Sequence, residues 1–206
     1  MTPTEERRTG RKRQQILGAA RELFLASGFA ATSMDAVVAK AGVSKQTLYR
    51  YFPSKTELLL SVLGEEFAFA RSIPAAPAPV RSTDDLRTAL LRMARAVTDR
   101  MMKPEEIEFF RLVIGEAMRI PEARQTLRVS LPGQLLAHAE GILRAADAHG
   151  LVNLPRPDLS ARMFVGPVFA FIAIDGLLSA TPPAPPSDDD LAALVDAFLL
   201  TVRADR

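Results

Sequence analysis

Residues 32–57 read TSMDAVVAKAGVSKQTLYRYFPSKTE, and the punctuation of this stretch decides how the chain folds. Thr32 or Ser33 caps a helix whose Met34, Val37, Val38 and Ala41 recur at helical spacing, and Gly42 supplies the permissive backbone that stops it. Ser44 caps a second, shorter helix. There Leu48 and Phe52 lie four apart and face inward, which leaves Lys45, Gln46, Thr47, Tyr49, Arg50 and Tyr51 around the rest of its surface. Pro53 ends that helix, because the residue before a proline is pushed out of the helical region, and Ser54 with Glu57 has the spacing of a capping box that opens a third. Two short helices about a glycine turn, the second polar and basic on its free side, form the pattern of a helix-turn-helix that reads DNA.

Composition sets bounds on everything else. The 206 residues suffice for a small domain joined to a larger one. The chain has no cysteine, which excludes disulfides, thiolate metal sites and thiol nucleophiles and suits a reducing cytoplasm. Its N-terminus lacks the apolar run of a signal peptide, and the longest apolar stretch, residues 163–174, falls between Arg162 and Asp175 and is too short to span a bilayer, so a cytoplasmic protein with no membrane contact is expected. Charge is unevenly placed. Residues 1–60 carry ten Lys and Arg against five Asp and Glu, whereas residues 61–206 carry sixteen against nineteen, so the basic N-terminal part alone is suited to a polyanion.

Ahead of the reader, Ile16, Leu17, Ala20, Leu23 and Phe24 mark an amphipathic helix running to Ser27 and Gly28, preceded by Arg7, Arg8, Arg11, Lys12 and Arg13. That basic lead is either a solvated end or an arm that tracks phosphates. The helix begun at Ser54 continues through Leu58, Leu59, Val62, Leu63 and Phe67, and the proline-rich residues 72–79 then interrupt regular structure as a domain joint. Further helices are expected at about 83–102, 104–119, 121–129, 131–149, 158–179 and 187–203. Strand signals are nearly absent, so the class is all-α: a three-helix DNA-binding domain at residues 1–63, with 1–10 flexible, and a larger helical domain at 64–206. Pro167 lies inside the helix expected at 158–179, where the missing N–H predicts a kink or break.

At this point the chain resembles the TetR family of bacterial transcriptional regulators. The residues that carry the likeness are Leu23 to Phe29, Thr32 to Asp35, Ala41 to Ser44, Thr47 to Phe52, and Ser54 with Lys55. Arg111 to Glu116 followed by Ile120, Pro121 and Glu122 is similar to the subgroup named after the AefR regulators. The resemblance implies DNA contacts from Thr32, Ser33, Ser44, Lys45, Gln46, Thr47, Tyr49, Tyr51 and Lys55, with Gln46 the main base reader and Lys55 beside a phosphate. It also implies a homodimer on palindromic operator DNA, and an inducer inside the larger domain whose binding separates the two readers.

The larger domain offers little enzyme chemistry. His138 and His149 are the only histidines and neither has a second within a helical turn, so no metal site, cofactor or catalytic set is expected. Methionines and aromatic residues concentrate in the middle helices, where Met93, Val97, Met101, Phe110, Val113, His138, Phe164 and Phe169 are expected to line an apolar effector pocket. The last two helices are expected to pair with a second copy through Leu191, Leu194, Val195 and Phe198. Asp175, amid apolar neighbours, is either a satisfied or interfacial polar residue or a ligand-binding carboxylate. A ligand-responsive repressor is the leading reading, and a DNA-binding adaptor whose larger domain takes a protein partner is the alternative.

Overall fold

The computed structural model describes residues 3–66, 80–117, 119–129 and 131–202. All regular structure among them is helical. The elements are α1 (Pro3–Ala31), α2 (Met34–Ala41), α3 (Lys45–Tyr51), α4 (Lys55–Glu66), α5 (Thr83–Met101), α6 (Pro104–Ala117), α7 (Pro121–Val129), α8 (Leu131–Asp147), α9 (Pro157–Phe171), a π-helical segment (Ile172–Leu177) and α10 (Asp188–Thr201). Residues 3–10, expected to be flexible, are helical and open α1. The proline-rich joint expected at 72–79 lies outside the described residues.

The chain divides into two compact units, one of residues 1–68 with 111–127, the other of 69–110 with 128–206. In the first, α1 is the spine. Ile16, Leu17, Ala20 and Phe24 from α1, Val37 and Ala41 from α2, Leu48 and Phe52 at α3, and Leu58, Leu59, Val62 and Leu63 from α4 are all buried, each at the positions where a helical period repeats. Gly28 breaks α1 at φ 77°, in the left-handed region that glycine enters without a Cβ clash. Gln15 Nε2 donates to the Ala41 carbonyl at 2.7 Å, which fixes the end of α2 against the spine.

The second unit packs α5, α8, α9 and α10. Leu86, Leu90, Met93, Ala94 and Val97 of α5 meet a core completed by Leu135, Ala139, Ile142 and Leu143 of α8, Phe164, Val165 and Val168 of α9, and Leu191, Val195 and Phe198 of α10. The Phe164 and Phe198 rings lie 5.4 Å apart. Both α5 and α10 open with full capping boxes, Ser82 with Asp85 and Ser187 with Asp190, in which the serine oxygen and the carboxylate each satisfy an orphan amide. Hydrogen bonds from Ser82 and Ser187 respectively hold these two carboxyls below the usual carboxylate range. Arg87 on α5 forks onto Asp196 of α10, with Nη2 to Oδ2 at 2.8 Å.

No break occurs at Pro167 in the penultimate helix. α9 continues through Pro167 to Phe171, and the irregularity falls later, in the π-helical segment where the Leu178 amide reaches back to the Ala173 carbonyl at 2.9 Å. Pro167 and Met163 lie on an exposed face, so the carbonyl left without a donor is open to water and the helix has no need to break there. The helical stretch Pro157–Leu177, which includes Asp158, Arg162 and Asp175 besides the apolar residues 163–174, has the length and mean hydropathy to cross a membrane. Ala161, Phe164, Val165, Val168 and Ile172 from this run are buried in the unit's own core. Within the π segment the backbone at Gly176 comes so close to Ile107 that an added Cβ would stand 2.6 Å from its Cδ1.

Candidate functional site

The reader is built by caps. Ser33 accepts the Ala36 amide at 3.0 Å and starts α2. At the other end Gly42 adopts φ 60°, ψ 37°, and the Gly42 and Val43 amides donate to the Ala39 and Val38 carbonyls at 3.3 Å each. That paired closure turns the chain sharply into α3. Ser44 then accepts the Thr47 amide at 3.1 Å, and its hydroxyl lies 2.8 Å from that of Thr47. With Leu48 and Phe52 buried, the outer face of α3 presents Lys45, Gln46, Tyr49 and Arg50 to solvent, while Thr47 and Tyr51 are half-buried.

Electrostatics organises this face. Lys45 Nζ lies 2.7 Å from Asp35 Oδ1, a hydrogen bond that holds the ammonium above its usual pKa, and the pair is exposed enough for the ammonium to exchange the carboxylate for a phosphate. Arg50 places its guanidinium 5.2 Å from the centre of the Tyr51 ring. The sequence reading left Arg50 out of the contact set although it shares an exposed face with Gln46, one helical turn away. Of the basic lead, Arg13 faces the Phe52 ring at 5.7 Å and pairs with Glu65 at 3.5 Å, whereas the side chains of Arg7 and Arg8 lie outside the described residues.

Two residues expected on DNA are engaged elsewhere. Thr32 is buried and its hydroxyl donates to the Gly28 and Leu23 carbonyls at 2.8 and 3.2 Å, so it closes the end of α1. Lys55 Nζ donates to the carbonyls of Phe29, Ala30 and Thr32 at 2.7, 3.0 and 2.8 Å and sits 4.6 Å from the Phe29 ring centre. All three of its N–H donors therefore have acceptors inside the reader. Both side chains serve the same turn. The capping reading of Ser54 predicted where α4 begins, and its oxygen accepts the Glu57 amide at 3.1 Å, but nothing in the local pattern pointed Lys55 back to a segment more than twenty residues earlier.

The apolar centre of the second unit is tighter than expected. Met93, Val97, Phe164 and Phe169, with Ala94, Leu135, Val165 and Val168, surround only about 10 Å³, room for about one water at most. Met101, Phe110 and Val113 are buried packing residues. A cavity of about 650 Å³ lies instead at the junction of α5, α8 and the first turn of α10, lined by Met93 and His138 of the expected set together with Ala89, Ala96, Ile142 and Ala192. The expected dimer residues also divide. Leu191, Val195 and Phe198 are 1, 0 and 6% exposed and belong to the chain's own core, while Leu194 is half-buried. Leu159, Met163, Ile174 and Leu178 on the penultimate helix and Leu200 on α10 face outward, with Ile174, Leu178 and Leu200 exposed by 62, 80 and 66%. Asp175 is half-buried in the π segment. Among the described residues no group of His, Cys, Asp and Glu is arranged to hold a metal ion.

Comparison with known proteins agrees with this geometry. Residues 16–62 match the family described as bacterial regulatory proteins, tetR family, and residues 88–202 match the AefR-like transcriptional repressor, C-terminal domain. The HTH-type transcriptional repressor KstR of Mycobacterium tuberculosis is 48% identical over 57 residues, 28% of this chain and 26% of KstR, so the chain spans about a quarter of that relative. An HTH-type transcriptional regulator of the same organism is 27% identical over 201 residues, 96% of this chain and 91% of its own length. Among solved structures, the flavonoid-responsive regulator FrrA shares 27% identity at a TM-score of 0.77, covering 96% of this chain and all of its own. Capped reader, helical second unit and both family matches converge: the chain belongs to the TetR family of DNA-binding transcriptional regulators and carries an AefR-like C-terminal domain.

Proposed function

We propose that the protein is a dimeric cytoplasmic repressor that binds a palindromic operator and releases it when a small, largely apolar molecule occupies the second unit. The observation that carries this reading is the pairing of an outward polar and basic face on α3 with an outward apolar stripe on the last two helices. A seven-residue recognition helix contacts too few bases for specificity alone, and a two-fold partner supplies the second half-site in an adjacent major groove. The apolar stripe is where such a partner gains burial. The repressor assignment follows KstR, whose likeness covers the reader, and the small-molecule assignment follows FrrA, whose likeness runs the length of the chain.

Selection of bound fragments from a random DNA pool, followed by sedimentation with and without the selected duplex, tests the reading directly. Two protomers on an inverted repeat are expected; a single protomer on an asymmetric site overturns it. On that site Gln46→Ala is expected to cost about 1–3 kcal/mol, through loss of paired bonds to one base, while affinity for random duplex changes little. An equal loss on both duplexes in titrations at one salt concentration would assign Gln46 to the phosphates instead.

A further inference from the structure

The tight aromatic centre has no room for an effector, and the cavity beneath the start of α10 does. Its walls are small or adaptable apolar side chains: Ala89, Met93 and Ala96 from α5, Ile142 from α8, and Leu191 and Ala192 from α10. Its rim carries charges in balance, Arg92 and Arg95 facing Asp188 and Asp189. Arg95 is already committed. It pairs with Asp188, lies 3.8 Å from Asp99 and reaches the Pro186 carbonyl at 3.4 Å, so it ties the first turn of α10 to α5. Arg92 and Asp189 are exposed and make no ion pair with another described residue, which leaves one donor group and one acceptor group at the mouth.

A ligand of either net charge would meet one like-charged group for each opposite one and gain little on balance. An uncharged ligand loses nothing to that balance, and a hydroxyl can accept from Arg92 and donate to Asp189 at once. We propose that this cavity, and not the aromatic centre, is the effector site, and that its occupant is an uncharged, mainly apolar molecule with a hydroxyl-bearing end. The inference rests on the ligand-responsive reading above and adds to it a place and a chemical class. It also gives occupancy a lever: Asp188, Asp189, Leu191 and Ala192 form one wall, and the same rigid helix carries Leu200 of the outward stripe.

The test uses the full chain, two uncharged probes and one anionic probe. N-phenyl-1-naphthylamine is apolar and has no hydroxyl, resveratrol is an uncharged polyphenol, and 8-anilinonaphthalene-1-sulfonate carries a negative charge. Ala96→Phe and Ala192→Phe each put a ring into the cavity, and Ala137→Phe places the same ring in the separate shallow groove beside Pro132 and Arg162 as a control. Both filling variants are expected to weaken the two uncharged probes at least about tenfold with an unchanged thermal midpoint, and the control to leave them alone. Arg92→Gln with Asp189→Asn is expected to weaken resveratrol about five- to tenfold while sparing N-phenyl-1-naphthylamine. Unchanged binding of the uncharged probes in whichever filling variant keeps its thermal midpoint overturns the site, and preferential binding of the sulfonate overturns the chemical class. Titration of the selected duplex with and without saturating resveratrol separates this inference from the reading beneath it. Ligand-dependent release that survives cavity filling removes the site and keeps the regulator ligand-responsive, whereas cavity binding that leaves DNA affinity unaltered keeps the site and removes release.

Discussion

Ile174→Glu combined with Leu200→Glu is expected to convert the protein to a folded monomer that has lost its operator. Both side chains are more than half exposed within the chain, so neither replacement removes a core contact. In a two-fold pair each new carboxylate occurs twice against apolar surface, and burying unpaired charge costs several kcal/mol, enough to raise the dimer dissociation constant by at least about a thousandfold. Operator affinity falls with it, since each reader then binds one half-site alone. The choice of residues matters. Phe198→Glu would put a charge beside the Phe164 ring, 5.4 Å away in the chain's own core, and would unfold the second unit without reporting on any partner. Sedimentation equilibrium with a thermal melt is the measurement. A double variant that stays dimeric at the native melting temperature moves the interface off this stripe.

Lys55→Met is expected to destabilise the reader without altering the number of phosphates it neutralises. The ammonium makes three charge-assisted hydrogen bonds to the carbonyls of Phe29, Ala30 and Thr32 and rests on the Phe29 ring. Two of the three bonds are part-buried, so water replaces them incompletely, and the loss is about 2–3 kcal/mol in urea unfolding. The slope of log affinity against log salt should stay as it was, because the charge was directed inward. A stable variant whose slope falls by about one unit would instead place Lys55 on a phosphate in the complex.

These two residues also show what sequence could and could not reveal. Ser33, Gly42, Ser44 and the bounds of α7 were legible because a cap depends on neighbours three or four positions away. The inward bonds of Lys55 and Thr32 were not legible because their acceptors belong to another turn of the fold: the Thr32 hydroxyl reaches as far back as Leu23, and the Lys55 ammonium to Phe29. On α10 the difficulty was different. Leu191, Val195 and Phe198 on one side and Leu200 on the other are all apolar, and periodicity identifies a stripe without telling which stripe belongs to the chain's own core. Large aromatic residues were read as pocket walls, yet they fill the space they enclose, and the room lies where alanines face one another on α5 and α10.

The widened turn at Ile172–Leu177 corrects the pitch of the apolar stripe. Ala170, Ile174 and Leu178 lie at intervals of four across this turn, all of them exposed. Steps of four overshoot a turn of 3.6 residues, so on an ordinary helix such a row drifts about 40° round the axis at each step. Bonding from residue i to i+5 takes in more chain per turn and winds the row back. The segment thus works as a vernier: a face set by one geometry upstream stays aimed at the same target downstream, and losing a single residue there would swing Leu178 about 100° away.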